Sequence, residues 1–295
     1  MTSNYVYALV SILAWAVSGP VITYGLKQIP GETKARGILL GLLISLLSGT
    51  ASLSLWVLPH ARGLDFSFPL IAAGVFTFPV ATGLYYLSGY AFGGKVEIAS
   101  QFTRVKPLFS VAFAALVLGE LLTSRTWISL AFVAVGTILF LIGSLRGTFR
   151  FVALLLGLLA ALSWAIGEIF IKLGTGGSTA INSTFVSLCS ATLAFVPVAF
   201  PAILKRPSYV TPKWAAPFIF HGIVSFGIGY ACFYASIRAI GVGKTALLTA
   251  FWPATSLVLG WAISRARKEN TRLPRVVWIA SILLLLGSLI QALDF

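Results

Sequence analysis

The chain has 295 residues, with 21 Lys and Arg against 7 Asp and Glu, which gives a formal net charge of +14 at pH 7. Charged residues make up 9% of the sequence and apolar residues 58%, whereas soluble globular proteins carry about 25% charged residues. This composition argues against a soluble enzyme, because too few polar side chains remain to cover a water-exposed surface. The basic residues punctuate apolar blocks and follow no face or motif, which argues against nucleic acid as a partner.

Apolar stretches long enough to cross the hydrocarbon core of a bilayer recur along the whole chain. They predict ten transmembrane helices, near residues 5–25, 37–57, 68–91, 96–118, 126–145, 151–173, 180–204, 214–237, 245–264 and 274–293. The first stretch lacks a basic flank and a small-residue cleavage site, so it is interpreted as a span and not as a signal peptide. The connections are too short to hold a soluble domain.

The basic residues of the connections are distributed unevenly between the two sides of this topology. One side receives most of them, including Lys34, Arg146 and Arg265, and the other side receives few, including Arg62 and Arg125. The positive-inside rule makes the richer side cytoplasmic, which places both termini outside.

At an offset of 149 residues the chain resembles itself: Trp15–Val17 aligns with Trp164–Ile166, and Gly94–Lys95 aligns with Gly243–Lys244. Each half then holds five spans, residues 1–147 and 148–295. Because five is odd, the second half is inverted in the membrane, as is recurrent in secondary transporters. The predicted fold is an all-α integral membrane protein, with ten transmembrane helices arranged as two inverted five-helix repeats around a central cavity. Such halves exchange packing arrangements and give alternating access.

Two features that resemble chemical motifs lack the necessary context. Gly241–Thr245 is similar to the end of a phosphate-binding loop, but Arg238 stands where that loop needs a glycine, and no strand precedes it. We therefore expect a turn, and neither ATP hydrolysis nor a nucleotide-hydrolysing subunit. His60 has no acidic cluster nearby, and the two cysteines match no metal or redox spacing. No metal, cofactor or catalytic residue is expected.

Charges inside a membrane are costly and are candidates for function. Glu168 lies in the sixth predicted span, with Trp164 four residues before it and Lys172 four after it, so the three share a helical face. Arg104 and Lys106 lie in the fourth predicted span, and Gln101 precedes Arg104 by one turn. One interpretation is a cavity in which Arg104 and Gln101 hold a carboxylate and Glu168 holds an ammonium. The other is a structural Glu168–Lys172 pair, with Arg104 and Lys106 paired to backbone carbonyls.

Aromatic residues recur every four positions along the third and eighth predicted spans. Rings away from the membrane interface can wall a cavity that stacks flat ligands, although packing between helices remains an open alternative. The candidate substrate-binding residues are Trp15, Tyr86, Gln101, Arg104, Trp164, Glu168, His221, Tyr230 and Trp252, and the candidate coupling or ion pair is Glu168 with Lys172.

Short motifs at corresponding places in the two halves indicate a family. The openings Ala14–Ala16 and Ser163–Ala165, and Pro107–Phe109 running to Leu118–Glu120, resemble the drug/metabolite transporter superfamily, EamA type. Within it, the aromatic-rich spans and Phe251–Pro253 resemble the YddG-type aromatic amino-acid exporters. The second half departs from the pattern after Phe251–Pro253, where the chain runs into a basic segment. The resemblance implies a secondary exporter of the bacterial inner membrane with a cavity between two helix bundles.

The expected function is therefore export or exchange of aromatic and other apolar amino acids and related small metabolites by alternating access. Transport of lipophilic cations or drugs is the alternative, for which Glu168 and the aromatic rings suffice and Arg104 is a hindrance. Exchange of phosphorylated sugars or nucleotide-sugars is weaker, because only two basic residues lie within the spans to clamp a phosphate. The expected partners are a small-molecule substrate and the lipid bilayer.

Overall fold

The computed structural model describes residues 3–60, 64–92, 103–144, 151–205, 208–266 and 275–293. Within these ranges the chain is helical, its helices are joined by short turns, and it contains no β-strand. Nine helical stretches in the same ranges are long and apolar enough to cross a bilayer. The prediction of an all-helical, multi-pass membrane protein is confirmed.

The helical stretches are assembled from α-helices and shorter π- or 3₁₀-helical pieces. The α-helices in the described part are α1 (Ser3–Lys27), α2 (Lys34–Val57), α3 (Phe68–Val75), α4 (Gly83–Tyr86), α5 (Lys106–Leu118), α6 (Ser124–Ser144), α7 (Phe151–Gly174), α8 (Ala180–Leu204), α9 (Pro212–His221), α10 (Tyr230–Ile240), α11 (Val242–Thr249), α12 (Trp252–Ala266) and α13 (Arg275–Ala292). The π-helical pieces are Phe76–Thr82, Leu87–Phe92 and Gly222–Gly229, and the 3₁₀ pieces are Gly31–Thr33, Leu58–His60 and Thr103–Val105.

The nine stretches correspond to nine of the ten spans that the sequence predicts. The exception is the fourth predicted span, 96–118, of which the described structure holds Thr103–Val105 and the 13 residues of α5. The beginning of that span lies outside the described residues. The count of ten transmembrane helices therefore stays a prediction.

The π-helical piece Phe76–Thr82 lies between α3 and α4, where the sequence predicts an uninterrupted α-helical face. The hydroxyl of Thr82 donates to the carbonyl of Thr77, five residues earlier, at 3.3 Å. A π turn is wider than an α turn and changes the direction in which the following side chains point. A second π-helical piece, Gly222–Gly229, separates α9 from α10.

Helices from the first and second halves of the chain pack directly against each other: α2 against α8 and the Gly222–Gly229 piece, α3 against α8, α1 against α12, and α6 along α13. Serine hydroxyls also form hydrogen bonds between the two halves. Ser45 donates to the carbonyl of Phe218 at 2.9 Å, and Ser187 donates to the carbonyl of Leu70 at 2.8 Å. In a bilayer, close packing and such hydrogen bonds hold helices together, because lipid is as apolar as the helix surfaces.

Glycines make the closest of these approaches possible. A Cβ atom at Gly74 would lie 2.1 Å from the carbonyl oxygen of Ser187, and one at Gly222 would lie 2.2 Å from that of Ser45. Both neighbours are backbone atoms, which cannot move aside. The two serine bridges therefore depend on glycine at positions 74 and 222.

Candidate functional site

A central cavity of about 880 Å³, including the space at its mouth, lies between helices of both halves of the chain. The lining residues lie in or next to α1, the π-helical piece Phe76–Thr82, α4, the 3₁₀ piece Thr103–Val105, the start of α5, α7, α9, the π-helical piece Gly222–Gly229, α10, α11 and α12. They are Trp15, Ser18, Gly19, Ile22, Thr82, Tyr85, Tyr86, Thr103, Arg104, Lys106, Pro107, Trp164, His221, Ser225, Phe226, Tyr230, Thr249, Ala250 and Trp252.

Seven of the nine candidate substrate-binding residues line this cavity: Trp15, Tyr86, Arg104, Trp164, His221, Tyr230 and Trp252. Glu168 lies beside it, in contact with a lining residue. Gln101 lies outside the described residues. The structure thus brings together side chains from six helical stretches that the sequence singles out one at a time.

One wall of the cavity is a cluster of rings around Trp15, which is 8% exposed. The ring centroid of Trp15 lies 5.2 Å from that of Tyr230, 5.1 Å from that of Phe233 and 6.0 Å from that of Trp252. The planes are tilted or edge-on, the arrangement that aromatic pairs favour. This wall joins α1 to α10 and α12 across the two halves of the chain.

A second wall is formed by Tyr85, Tyr86 and Trp164. The ring of Tyr85 lies 5.6 Å from that of Tyr86 and 5.7 Å from that of Trp164. Tyr85 and Tyr86 are neighbours in sequence, and both reach the cavity because α4 is a single turn between two π-helical pieces. A flat apolar group between the two walls would meet rings on both sides.

The second wall carries a polar contact between Tyr86 and His221. The Tyr86 hydroxyl and His221 Nε2 are 2.9 Å apart, and both side chains are buried. The other ring nitrogen, Nδ1 of His221, has no hydrogen-bond partner within the described residues. His221 is therefore fixed through Tyr86 and keeps a second polar atom for a ligand or water.

Lys106 and Glu168 form a buried ion pair at the edge of the cavity. Lys106 is 8% and Glu168 2% exposed, and Lys106 Nζ lies 5.0 Å from the centroid of the Phe233 ring. The second carboxylate oxygen, Oε2 of Glu168, has no hydrogen-bond partner in the part of the chain that the structure describes. Buried ion pairs of this kind are costly to break one partner at a time.

The expected Glu168–Lys172 pair is wrong. Lys172 Nζ instead donates to the carbonyls of Ile237 and Arg238, at 3.3 Å each, at the end of α10. A cation is favourable there because the last carbonyls of a helix carry partial negative charge. Spacing along α7 permits a pair one turn apart, but α5 packs against α7 and supplies Lys106 as a closer partner.

Arg104 lies in the 3₁₀ piece that precedes α5, two residues before Lys106, and is 4% exposed. Its guanidinium carbon lies 3.3 Å from the centroid of the Phe140 ring, so the cation stacks on an aromatic face. Arg104 and Lys106 line the cavity, and no Asp or Glu is among the described lining residues. The cavity wall therefore presents positive charge, balanced in part by Glu168 behind Lys106.

Several lining residues were not among the candidates from the sequence. Tyr85 falls off the four-residue repeat that indicates Tyr86, so periodicity gives no signal for it. Thr82 and Phe226 do lie on the aromatic rows of the third and eighth spans. Lys106 is conspicuous as a charge within a span, but its partnership with Glu168 follows from tertiary packing alone.

Comparison with known proteins gives a family and a fold. A family model described as "EamA-like transporter family" matches the chain twice, over residues 2–142 and 151–292. Curated proteins give no significant match. One solved structure, titled only "Crystal structure of protein", superposes with a TM-score of 0.73 at 22% sequence identity, covering 98% of this chain and 96% of that chain. At this identity the superposition shows the fold alone.

Proposed function

Since the chain belongs to the EamA-like transporter family, we propose that it is a secondary transporter of small aromatic metabolites, with aromatic and other apolar amino acids as its substrates. Members of this family are transporters of small molecules and not enzymes. The central cavity is the proposed substrate site. Trp15, Tyr86, Trp164, Tyr230 and Trp252 would surround the side chain of the substrate.

The observation that carries this proposal is that two aromatic walls and Lys106 line one cavity, with Glu168 paired to Lys106 beside it. A zwitterion brings a carboxylate and an ammonium together. Its carboxylate is suited to Lys106 and Arg104, and its ammonium is suited to Glu168. Such a ligand can replace the Lys106–Glu168 pair with one ion pair to each residue, so neither buried charge is left uncompensated.

A lipophilic cation fits this cavity less well. Its lining in the described structure holds two cationic side chains and no acid, and the nearest carboxylate already binds Lys106. A cation would therefore have to approach Arg104 and compete with Lys106. A phosphorylated sugar fits less well too, because one of the two cations is neutralised by Glu168 and the walls are aromatic.

Transport would proceed by alternating access between two inverted five-helix halves, residues 1–147 and 148–295. The two consecutive matches to one family model support this division. So do the contacts between halves, in which α2 packs against the eighth predicted span as α8 packs against the third. The charge asymmetry of the connections supports an orientation with both termini outside, and the family resemblance supports a bacterial inner membrane.

Counterflow in proteoliposomes tests the proposal. Vesicles are loaded with phenylalanine, tryptophan, a sugar phosphate or a lipophilic cation, and the uptake of labelled phenylalanine is followed. We expect the aromatic amino acids alone to accelerate uptake. If only the cation accelerates uptake of its own label, the proposed substrates are wrong.

A further inference from the structure

A second cavity, of about 1360 Å³ including its open side, lies at the N-terminal end of α1. Its lining includes Tyr5, Glu120, Lys172, Gly243 and Lys244, which come from both halves of the chain. We call the membrane face on this side the N-terminal face. None of the candidate substrate-binding residues that the structure describes lines this cavity, but Lys172, the candidate for the coupling or ion pair, does.

Helices α7 and α11 contribute lining residues to both cavities. On α11, Gly243 lines the second cavity and Thr249 lines the central one, a separation of about 9 Å at about 1.5 Å per residue. On α7, Lys172 and Trp164 stand in the same relation at about 12 Å. The second cavity therefore lies between the central cavity and the N-terminal face.

Buried side chains of α7 and α11 lie between the two cavities. Glu168 lies midway between Trp164 and Lys172 on α7, paired with Lys106. Ala246 and Leu247 occupy the same depth on α11, and both are fully buried. The two cavities share no described lining residue, and these buried side chains separate them in the present arrangement.

Glu120 joins the two halves of the chain at the edge of this region. Its Oε1 accepts from the backbone N–H of Val242 at 2.7 Å, and its Oε2 accepts from that of Gly243 at 2.9 Å. These are the first N–H groups of α11, which no helix carbonyl satisfies and which favour negative charge. We refer to this two-bond contact as the Glu120 clamp.

Two glycines shape the clamp. Gly119 ends α5 with a φ of +66°, which turns the chain so that the N–H of Glu120 donates back to the carbonyl of Ala114 at 3.0 Å. Gly241 precedes α11 with a φ of +90°, and a Cβ atom there would lie 2.7 Å from Oε1 of Glu120. Any other residue at position 241 would be strained and would displace the carboxylate.

We propose that the Glu120 clamp is the gate that holds the central cavity closed toward the N-terminal face, and that its release opens the path through the second cavity. The inference rests on the proposed alternating access and adds the contact that controls it. The clamp borders a cavity, so water can replace the carboxylate at the N–H groups when the halves separate. Glu120 is thus a positioning residue for transport, not a substrate ligand.

Labelling of a cysteine inside the central cavity measures this gate directly. The background variant carries Cys189→Ala and Cys232→Ala, which remove both cysteines of the chain. Ser18→Cys then places a thiol among the lining residues of the central cavity. A membrane-impermeant maleimide is applied from each face in turn, without substrate, and the labelling rate is measured.

We expect Glu120→Ala to raise the labelling rate from the N-terminal face about tenfold, the factor that corresponds to losing charge-assisted hydrogen bonds, and to leave the rate from the opposite face unchanged. Glu120→Gln keeps the shape of the side chain and loses its charge, so its labelling rate from the N-terminal face should fall between those of the background variant and Glu120→Ala. Asp65→Asn is the matched control, because it removes an acid that is exposed in the loop before α3.

Hydrogen exchange at the amides of Val242 and Gly243 supplies a second readout, and both should exchange faster in Glu120→Ala. An unchanged rate from the N-terminal face overturns the proposal, and so does an equal rise from both faces, which would indicate a loosened fold. If aromatic amino acids fail in counterflow while labelling follows the expectation, the substrate assignment is wrong and the gate stands.

Discussion

Lys106 and Glu168, which stand 62 residues apart in sequence, form a buried ion pair that joins α5 to α7 beside the central cavity. The pair determines what a ligand in the cavity meets. Lys106 faces the cavity with its charge compensated, and Glu168 keeps one oxygen without a partner among the described residues. In a zwitterionic ligand, the carboxylate can bind Lys106 in place of Glu168, and the ammonium can bind Glu168 in place of Lys106.

Glu168→Gln should remove transport of zwitterions and destabilise the protein. Lys106 would remain charged and buried without its partner, a loss of about 3–5 kcal/mol in cases of this kind. The double variant Lys106→Gln with Glu168→Gln should recover most of the stability but not the transport. Thermal unfolding in detergent and counterflow separate the two effects, and full activity of Glu168→Gln would remove its assigned role.

Arg104→Gln should weaken transport of any substrate that carries a carboxylate, by about tenfold or more for loss of a charge-assisted contact. Initial rates of phenylalanine counterflow over a range of concentrations measure the effect. Arg275→Gln is a suitable control, because Arg275 is exposed at the beginning of α13. Faster transport of a lipophilic cation by Arg104→Gln, with phenylalanine transport unaffected, would favour the cation alternative.

Trp15→Leu should raise the KM for aromatic substrates about tenfold, because the Trp15 ring contacts Tyr230 and Trp252 and forms a wall of the cavity. Its effect on leucine transport should be smaller, since leucine gains less from a ring surface. Trp127→Leu provides the comparison, as the Trp127 side chain is 58% exposed and is not among the lining residues of the central cavity. An identical effect of the two substitutions would contradict a role of Trp15 in binding.

Tyr86→Phe should lower the free energy of unfolding by about 1–3 kcal/mol, because it leaves the buried Nε2 of His221 without its 2.9 Å hydrogen bond. Chemical or thermal unfolding followed by circular dichroism measures the loss. Tyr24→Phe removes a hydroxyl from a side chain that is 51% exposed and should change stability little. Equal stability of both variants and the unmodified protein would show that the contact with His221 contributes nothing.

Most of the architecture could be predicted from the sequence, because the length and apolarity of each span follow directly from the thickness of a bilayer. The aromatic lining was also accessible: Tyr86 and Tyr230 fall on rows of rings along their spans. Tyr85 could not be predicted as a lining residue, since the π-helical pieces that bring it to the cavity leave no signal in a search for α-helical periodicity.

The partners of the charged residues were harder to predict. Spacing along one helix favours Lys172 for Glu168, but the ion pair is decided by the packing of α5 on α7, which lies beyond local sequence. Glu120 follows the end of α5, and its position in the sequence does not show which helix its carboxylate caps. It does cap a helix, but that helix is α11, more than a hundred residues away.

The most direct test of the account uses three internal loads that share one ring and differ only in charge. Phenylalanine carries both charges, 3-phenylpropanoate lacks the ammonium, and phenethylamine lacks the carboxylate. Because Lys106 and Glu168 are paired at the cavity, the account predicts that internal phenylalanine accelerates uptake of labelled phenylalanine far more than either analogue does. Equal or greater acceleration by phenethylamine or 3-phenylpropanoate would contradict it.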